Sequence, residues 1–404
     1  MKTSISRLQT GAFACAAALL LCGGQATRAS AFQTLHKFRS YAMGANPGGK
    51  LVLTKGVLYG TTFSGGNGNA GTVFLLNRDS HQKTLYQFQR GADGSQPDGL
   101  VADTSGNLYG VTGERGTIFK VTRDGSFTTL YTFQGGSDGD APLGALLIDK
   151  SGALYGTTNQ GGGNGCDGNG CGTVYKLAPD GMIFVLHVFG GSDGAFPVGG
   201  LVADKVGNLY GVTHLGGRGC QGYGCGTVYR LSSDGQESVL YAFEGGTDGQ
   251  NPSGELVIDQ GGNLFGVASG GQSICGSHGG LYCGIVFKIA TDGTKTIVHA
   301  FNGTDGWSPD AGLAEDNSGN LYGTTEAGGG VVRCGTAGCG TVFKIAADGT
   351  YTVLHAFAGR RDGVAPDSPL VVDRDGHLFG TALQGGRRES CDGYGCGTIF
   401  EIIP

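Results

Sequence analysis

Asn208-Leu209-Tyr210-Gly211-Val212-Thr213, followed after a glycine-rich interval by Gly226-Thr227-Val228-Tyr229, decides the fold. Both phrases recur seven times. The first returns at Val57 to Gly60, Asn107 to Gly110, Ala153 to Gly156, Asn208 to Gly211, Asn263 to Gly266, Asn320 to Gly323 and His377 to Gly380. Successive aromatic positions lie 50, 46, 55, 55, 57 and 57 residues apart. Each repeat resolves into four strand-length segments rich in β-branched and aromatic residues. In the fourth repeat these are Gly200 to Asp204, Asn208 to Thr213, Gly226 to Tyr229 and Ser238 to Phe243. Turns of the form Asp-x-x-Gly-Asn (Asp204 to Asn208) and Asp-Gly (Asp234-Gly235) separate them. Gly and Asn accept the positive φ that tight hairpins need. Four antiparallel strands per unit of this length predict an all-β, seven-bladed β-propeller.

The two ends of the chain are complementary. The last repeat stops at a third strand, Gly397 to Ile403, whereas Gln33 to Phe38 reads as a fourth strand without a blade and matches Thr352 to Phe357. Pairing the N-terminal strand with the last blade closes the ring and leaves no open sheet edge. An open solenoid would instead require polar caps. A single closed ring over residues 32–404 implies a monomer. Its variable, glycine-rich loops share one face, where a binding site is expected.

Residues 1–31 have the form of a signal peptide. Lys2 and Arg7 precede an apolar run from Gly11 to Leu21, and Ala29-Ser30-Ala31 supplies a small-residue cleavage site. The run is too short to span a bilayer. Leu21 before Cys22 does not fit a lipoprotein processing signal, so secreted or periplasmic export is expected rather than a lipid anchor. Without this segment the chain has 24 basic and 33 acidic residues, a formal charge of −9. That balance lacks the basic stripe of a nucleic-acid binder.

Beyond Cys15 and Cys22, ten cysteines form five local pairs: Cys166/Cys171, Cys220/Cys225, Cys275/Cys283, Cys334/Cys339 and Cys391/Cys396. All lie between the second and third strands of repeats three to seven. In an exported chain they read as disulfides. Rings this small contribute about 2 kcal/mol each, so the pairs are expected to shape loops more than to hold the ring. Zinc would need four ligands where each repeat offers two thiolates. The inter-blade phrase Gly-x-Asp-Gly-x-x-Pro brings Asp93, Asp138, Asp193, Asp248, Asp305 and Asp362 to one face, and Arg39 to Pro47 lacks the aspartate. Calcium wants six to eight clustered oxygens, whereas one carboxylate per blade suits a turn-capping role. No cofactor and no metal are therefore expected. His187, His299 and His355 recur at one strand position, which marks them as structural.

Function is sought in positions that do not repeat. His214, Glu326 and Asn159 follow second strands and form a candidate polar set at the ring mouth, in a series with Phe63, Gly113, Ser269 and Leu383. Glu255 and Glu315 are acidic residues in innermost strands, where they would line the channel. Trp307, in an inter-blade loop, is a candidate stacking platform for sugar. No Ser-His-Asp order, phosphate loop or helical metal motif is present.

The phrases Gly200 to Asp204, Asn208 to Thr213, Gly226 to Tyr229 and Gly245 to Gly249 resemble the bacterial tandem repeat named GloVer, of the exported "choice-of-anchor" proteins. The resemblance covers residues 32–404 and implies no known activity. Pro404 ends the final repeat with no sorting tail after it. A module binding a glycan or protein through its loop face is the leading expectation. The alternatives are a metal-assisted lyase or lactone hydrolase, with His214, Glu326 or the channel glutamates converging on one ion, and a purely structural envelope or matrix protein.

Overall fold

The computed structural model describes residues 30–404 except Arg78, Arg115, Gln272, residues 276–281, residues 387–390 and Asp392. Residues 1–29 of the proposed signal segment, Cys22 among them, lie outside the described residues, whereas Ala31 already belongs to the N-terminal strand. Seven four-stranded antiparallel sheets are present among them. Blade four comprises Ala195–Ala203, Leu209–Leu215, Thr227–Leu231 and Glu237–Ala242, paired in that order. In the last blade Val371–Val372, Leu378–Ala382 and Thr398–Ile403 are completed by the N-terminal strand Ala31–Lys37. Ala31 pairs with Ile403 and Lys37 with Thr398, which closes the ring as the sequence predicted.

The opening phrase builds this blade residue by residue. Asp204 accepts hydrogen bonds from the Asn208 amide (2.9 Å), the Asn208 side chain (2.6 Å) and the Tyr210 hydroxyl (3.0 Å), which fixes the hairpin. Burial opposes ionisation of Asp204, but these hydrogen bonds outweigh it and hold the carboxyl below the usual carboxylate range. Gly211 leaves room for the third strand, since a Cβ there would overlap the Tyr229 hydroxyl. Thr213 and Thr227, both fully buried, share a hydroxyl hydrogen bond of 2.8 Å.

The core lies at the seams between blades. Each seam carries one edge-to-face aromatic pair with centroids 5.0 to 5.3 Å apart: Phe38/Phe74, Phe88/Phe119, Phe133/Tyr175, Phe189/Tyr229, Phe243/Phe287, Phe301/Phe343 and Phe357/Phe400. The closing seam is built like the other six, because Phe38 at the end of the N-terminal strand reaches Phe74 of blade one. Such pairs add about 1 kcal/mol each beyond area burial.

The recurrent inter-blade aspartates serve these seams. Asp93, Asp138 and Asp248 accept from the hydroxyls of Tyr86, Tyr131 and Tyr241, while Asp193, Asp305 and Asp362 pair with Nε2 of His187, His299 and His355. Each also caps its loop through a backbone amide, as with Gln89 on Asp93. Where blade one lacks the aspartate, the matching His36 has Nε2 buried without a partner, and burial, with Arg39 nearby, lowers its pKa to about 4.

Candidate binding site at the channel mouth

The innermost strand of every blade enters through the same strained step. The residue before the proline is left-handed in all seven: Asn46, Gln96, Ala141, Phe196, Asn251, Ser308 and Ala365 have φ between 50° and 58°. For a non-glycine residue this costs about 1–2 kcal/mol and needs an external hold. The hold comes from the preceding blade. The amides of Phe196, Asn251, Ser308, Ala365 and Asn46 donate to the carbonyls of Cys171, Cys225, Cys283, Cys339 and Cys396. Those cysteines are the second members of the five disulfides, all formed as the spacing predicted. The second cysteine of each pair thus supplies the carbonyl that seats the next blade's inner strand. In blade one Ala70 supplies that carbonyl, to Gln96.

The residue after each proline then faces the axis. Gly48, Asp98, Leu143, Val198, Ser253, Asp310 and Asp367 all line one cavity of about 710 Å³. Two positions further along their strands, Lys50 of blade one and Glu255 of blade five meet at 2.5 Å. These blades are not neighbours, so the ion pair spans the channel below the ring of post-proline residues and gives the cavity a floor.

The wall is chemically divided. Leu143 and Val198 make blades three and four apolar, while Leu383 and Phe63 add apolar surface at the second-strand ends of blades seven and one, and Phe63 is 50% exposed. Asp98, Asp310 and Asp367 form an acidic arc. Asp98 is anchored by the amides of Gly99 (2.7 Å) and Gly144 (2.8 Å). Burial and the charge of Glu326 raise the Asp310 pKa to about 6. Burial, then the charges of Asp310, Glu326 and Asp98, push Asp367 up to about 8. Lys50 is committed to Glu255, and no other cation lines the cavity among the described residues. Ser253 Oγ is buried with no hydrogen-bond partner.

The residues singled out from sequence fall in four places. Glu255 lies in the channel, paired with Lys50. Glu315 does not line the channel; it borders a separate cavity with Asp259, Asn317 and Lys288 near the opposite hairpins. Trp307 borders a third cavity, of about 300 Å³, beside Ile274 and Cys275. His214, Glu326 and Asn159 stand on blades four, six and three and do not meet. His214 is exposed and its carbonyl accepts from Asn251 (3.0 Å), Asn159 donates to the Pro197 carbonyl (3.4 Å), and Glu326 acts on the acidic arc through its charge. Asp98, Asp310, Asp367, Leu143 and Val198 were missed. The signal that finds them is their shared place, one residue past the proline of each inter-blade phrase.

A model of the Gloeobacter/Verrucomicrobia repeat matches residues 25–168, 112–282 and 275–404. The chain belongs to this repeat family. No curated protein matches the sequence. The repeat protein is similar in structure to a streptogramin B lyase, at TM-score 0.61 and 15% identity over 93% of this chain and 97% of that one. It is similar also to a catalytically inactive virginiamycin B lyase from Staphylococcus aureus with quinupristin, at TM-score 0.61 and 14% identity over 93% and 99% of the two chains. Likeness at this identity establishes the propeller fold. The five disulfides of the repeat protein suit an oxidising compartment, and no helix among the described residues is long and apolar enough to cross a membrane.

The raised Asp367 pKa has a stability consequence with a definite sign. The folded state holds this proton to about pH 8, whereas an unfolded aspartate releases it near pH 3.8. The folded chain therefore binds more protons than the unfolded chain between these values, and stability falls as pH rises through that window. Asp367→Asn removes the effect. Its Tm relative to the parent is expected to rise progressively from pH 5 to pH 8 in scanning calorimetry, and a constant difference would refute the assignment.

Proposed function

We propose that this repeat protein is an exported binding propeller that takes a glycan in the loop-side mouth of its channel. The observation that carries the reading is the cavity of about 710 Å³ lined by Asp98, Asp310 and Asp367 together with Phe63, Leu143 and Val198. Its size suits a small ligand, within the range of about 300–1,000 Å³ for such sites. A saccharide offers hydroxyl donors to Asp98, Asp310 and Asp367, a partner for the buried Ser253 hydroxyl, and C–H faces for Phe63, Leu143 and Val198. A protein ligand would need a broad surface instead of this concave one. The metal-assisted lyase or lactonase reading asks His214, Glu326 or the glutamates to converge on one ion, and among the described residues they form no metal-ligating group of three.

A glycan array probed with the full chain and with Leu143→Trp tests the reading. The tryptophan fills the cavity from a residue already at its wall, so the fold is expected to persist with an unchanged Tm. Binding should fall by at least about tenfold, which is 1.4 kcal/mol. Equal binding by both proteins would place the ligand elsewhere, and an empty array would remove the glycan reading.

A further inference from the structure

The seams repeat one more contact. At three seams a residue at the start of one blade's fourth strand covers the aspartate-bound aromatic of the preceding blade. Phe127 stacks on Tyr86 at 4.0 Å, Tyr351 on His299 at 3.7 Å and Phe32 on His355 at 3.7 Å. At the seam between blades four and five the position is Lys295, which pairs with Asp248 at 2.7 Å and lies over the Tyr241 ring. Between blades three and four it is Glu237. There a second carboxylate faces Asp193, where the neighbouring seam supplies a cation.

We propose that His187, Asp193 and Glu237 form a binding site for a divalent transition-metal ion, Zn²⁺ foremost, that clasps blade three to blade four. One ligand atom from each of the three side chains lies within 4.8 Å of the other two, and among the described residues no other such group of three occurs. His187 Nε2 and Asp193 Oδ2 are hydrogen-bonded at 2.8 Å, so a separation of about half an ångström more gives the spacing of two ligands on one tetrahedral ion with bonds of about 2.0 Å. Asp193 is preset: its Oδ1 accepts from the Gly190 amide (2.8 Å) and its main-chain carbonyl from the Thr227 hydroxyl (3.1 Å), which leaves Oδ2 to the cluster. Glu237 Oε1 is buried with no hydrogen-bond partner, so the structure leaves an acceptor unanswered at this point. The side chains of His187 and Asp193 are 18% and 23% exposed, giving an entry path and room for water in the remaining coordination positions. One neutral imidazole and two carboxylates match a dication in charge, and the N/O donor set suits Zn²⁺. The metal takes the place of the proton between His187 and Asp193, which passes to solvent while the imidazole keeps its hydrogen on Nδ1, and draws in the Glu237 carboxylate.

The test uses the full chain, stripped with chelator and dialysed against micromolar Zn²⁺. One ion per chain is expected, with a rise in Tm, and Co²⁺ should give a visible absorption band that Zn²⁺ abolishes. Since loss of a partner behind a ligand already costs 10–100-fold in affinity, loss of a ligand in Glu237→Gln is expected to cost about 100-fold or more. Glu237→Lys copies the Lys295 arrangement. It should raise Tm without metal and be indifferent to Zn²⁺. Zinc stoichiometry and Tm response that are the same in parent, Glu237→Gln and Glu237→Lys, or no binding by the parent at micromolar Zn²⁺, would overturn the site.

Discussion

Removal of residues 31–38 is expected to lower Tm by about 15 °C and to promote self-association or aggregation. The deletion takes away the strand that pairs with Thr398–Ile403 and leaves that strand as an open edge, a template for another chain. It also removes Phe38, which is 0% exposed and packs edge-on to Phe74, and Phe32, which stacks on His355. Loss of a fully buried phenylalanine costs about 3–5 kcal/mol, and the half-buried Phe32 and Leu35 with their ring contacts add about 4 kcal/mol. At about 2 °C per kcal/mol for a chain of this size, the stated fall follows. Thermal melts and gel filtration read both effects. A synthetic peptide covering residues 30–39 should reverse both effects by strand addition. A deleted chain that melts like the parent would show that the ring is held elsewhere.

The second large effect concerns a single methyl group. Gly211→Ala is expected to destabilise by about 3 kcal/mol, at the upper end of overpacking costs, because the strand pairing on both sides prevents retreat. The added Cβ meets the Tyr229 hydroxyl and, at 3.1 Å, Leu201 Cδ2. The Tyr229 hydroxyl is buried without a partner, so Tyr229→Phe alone should stabilise slightly by removing an unsatisfied group. In the double variant the rescue should be incomplete. In blade six, where the ring is Phe343, a Cβ on Gly323 still comes within 2.5 Å of its Cζ. Gly136→Ala serves as the control, with nothing within 4 Å of the added carbon. Chemical denaturation of the four proteins checks the series. Equal stability of Gly211→Ala and Gly136→Ala would contradict the packing described.

These two cases show why the fold was legible. A glycine that must be a glycine and an aromatic that must face a seam recur in every blade, so seven copies reveal each constraint. The half-strands at the two ends, Gln33 to Phe38 and Gly397 to Ile403, were legible for the same reason, as parts of one repeat. The site was less legible because it occupies positions where no constraint repeats. Glu255 and Glu315 both fall in inner-strand sequence, but the pairing register shifts within that strand, between Ser253 and Val257 in blade five. Alternation therefore cannot be counted through it. Glu255 faces the axis, whereas Glu315 lies at the far hairpin. The post-proline residues were hidden by their neighbours: a conspicuous Asp-Gly-x-x-Pro phrase drew attention to its aspartate, which serves the seam, and away from the residue that follows. The carboxylate of Glu237 was equally quiet, since only its departure from Phe127, Lys295 and Tyr351 at the same place gives it meaning.

The most direct test of the central claim is a calorimetric titration of the strongest glycan found on the array. The full chain, the cavity variants Asp310→Ala and Asp367→Ala, and the rim variant Trp307→Ala should be compared. The channel-mouth account predicts a loss of at least about tenfold in affinity for each cavity variant and less than about twofold for Trp307→Ala. The reverse order, with binding lost at Trp307 and kept at the aspartates, would contradict it.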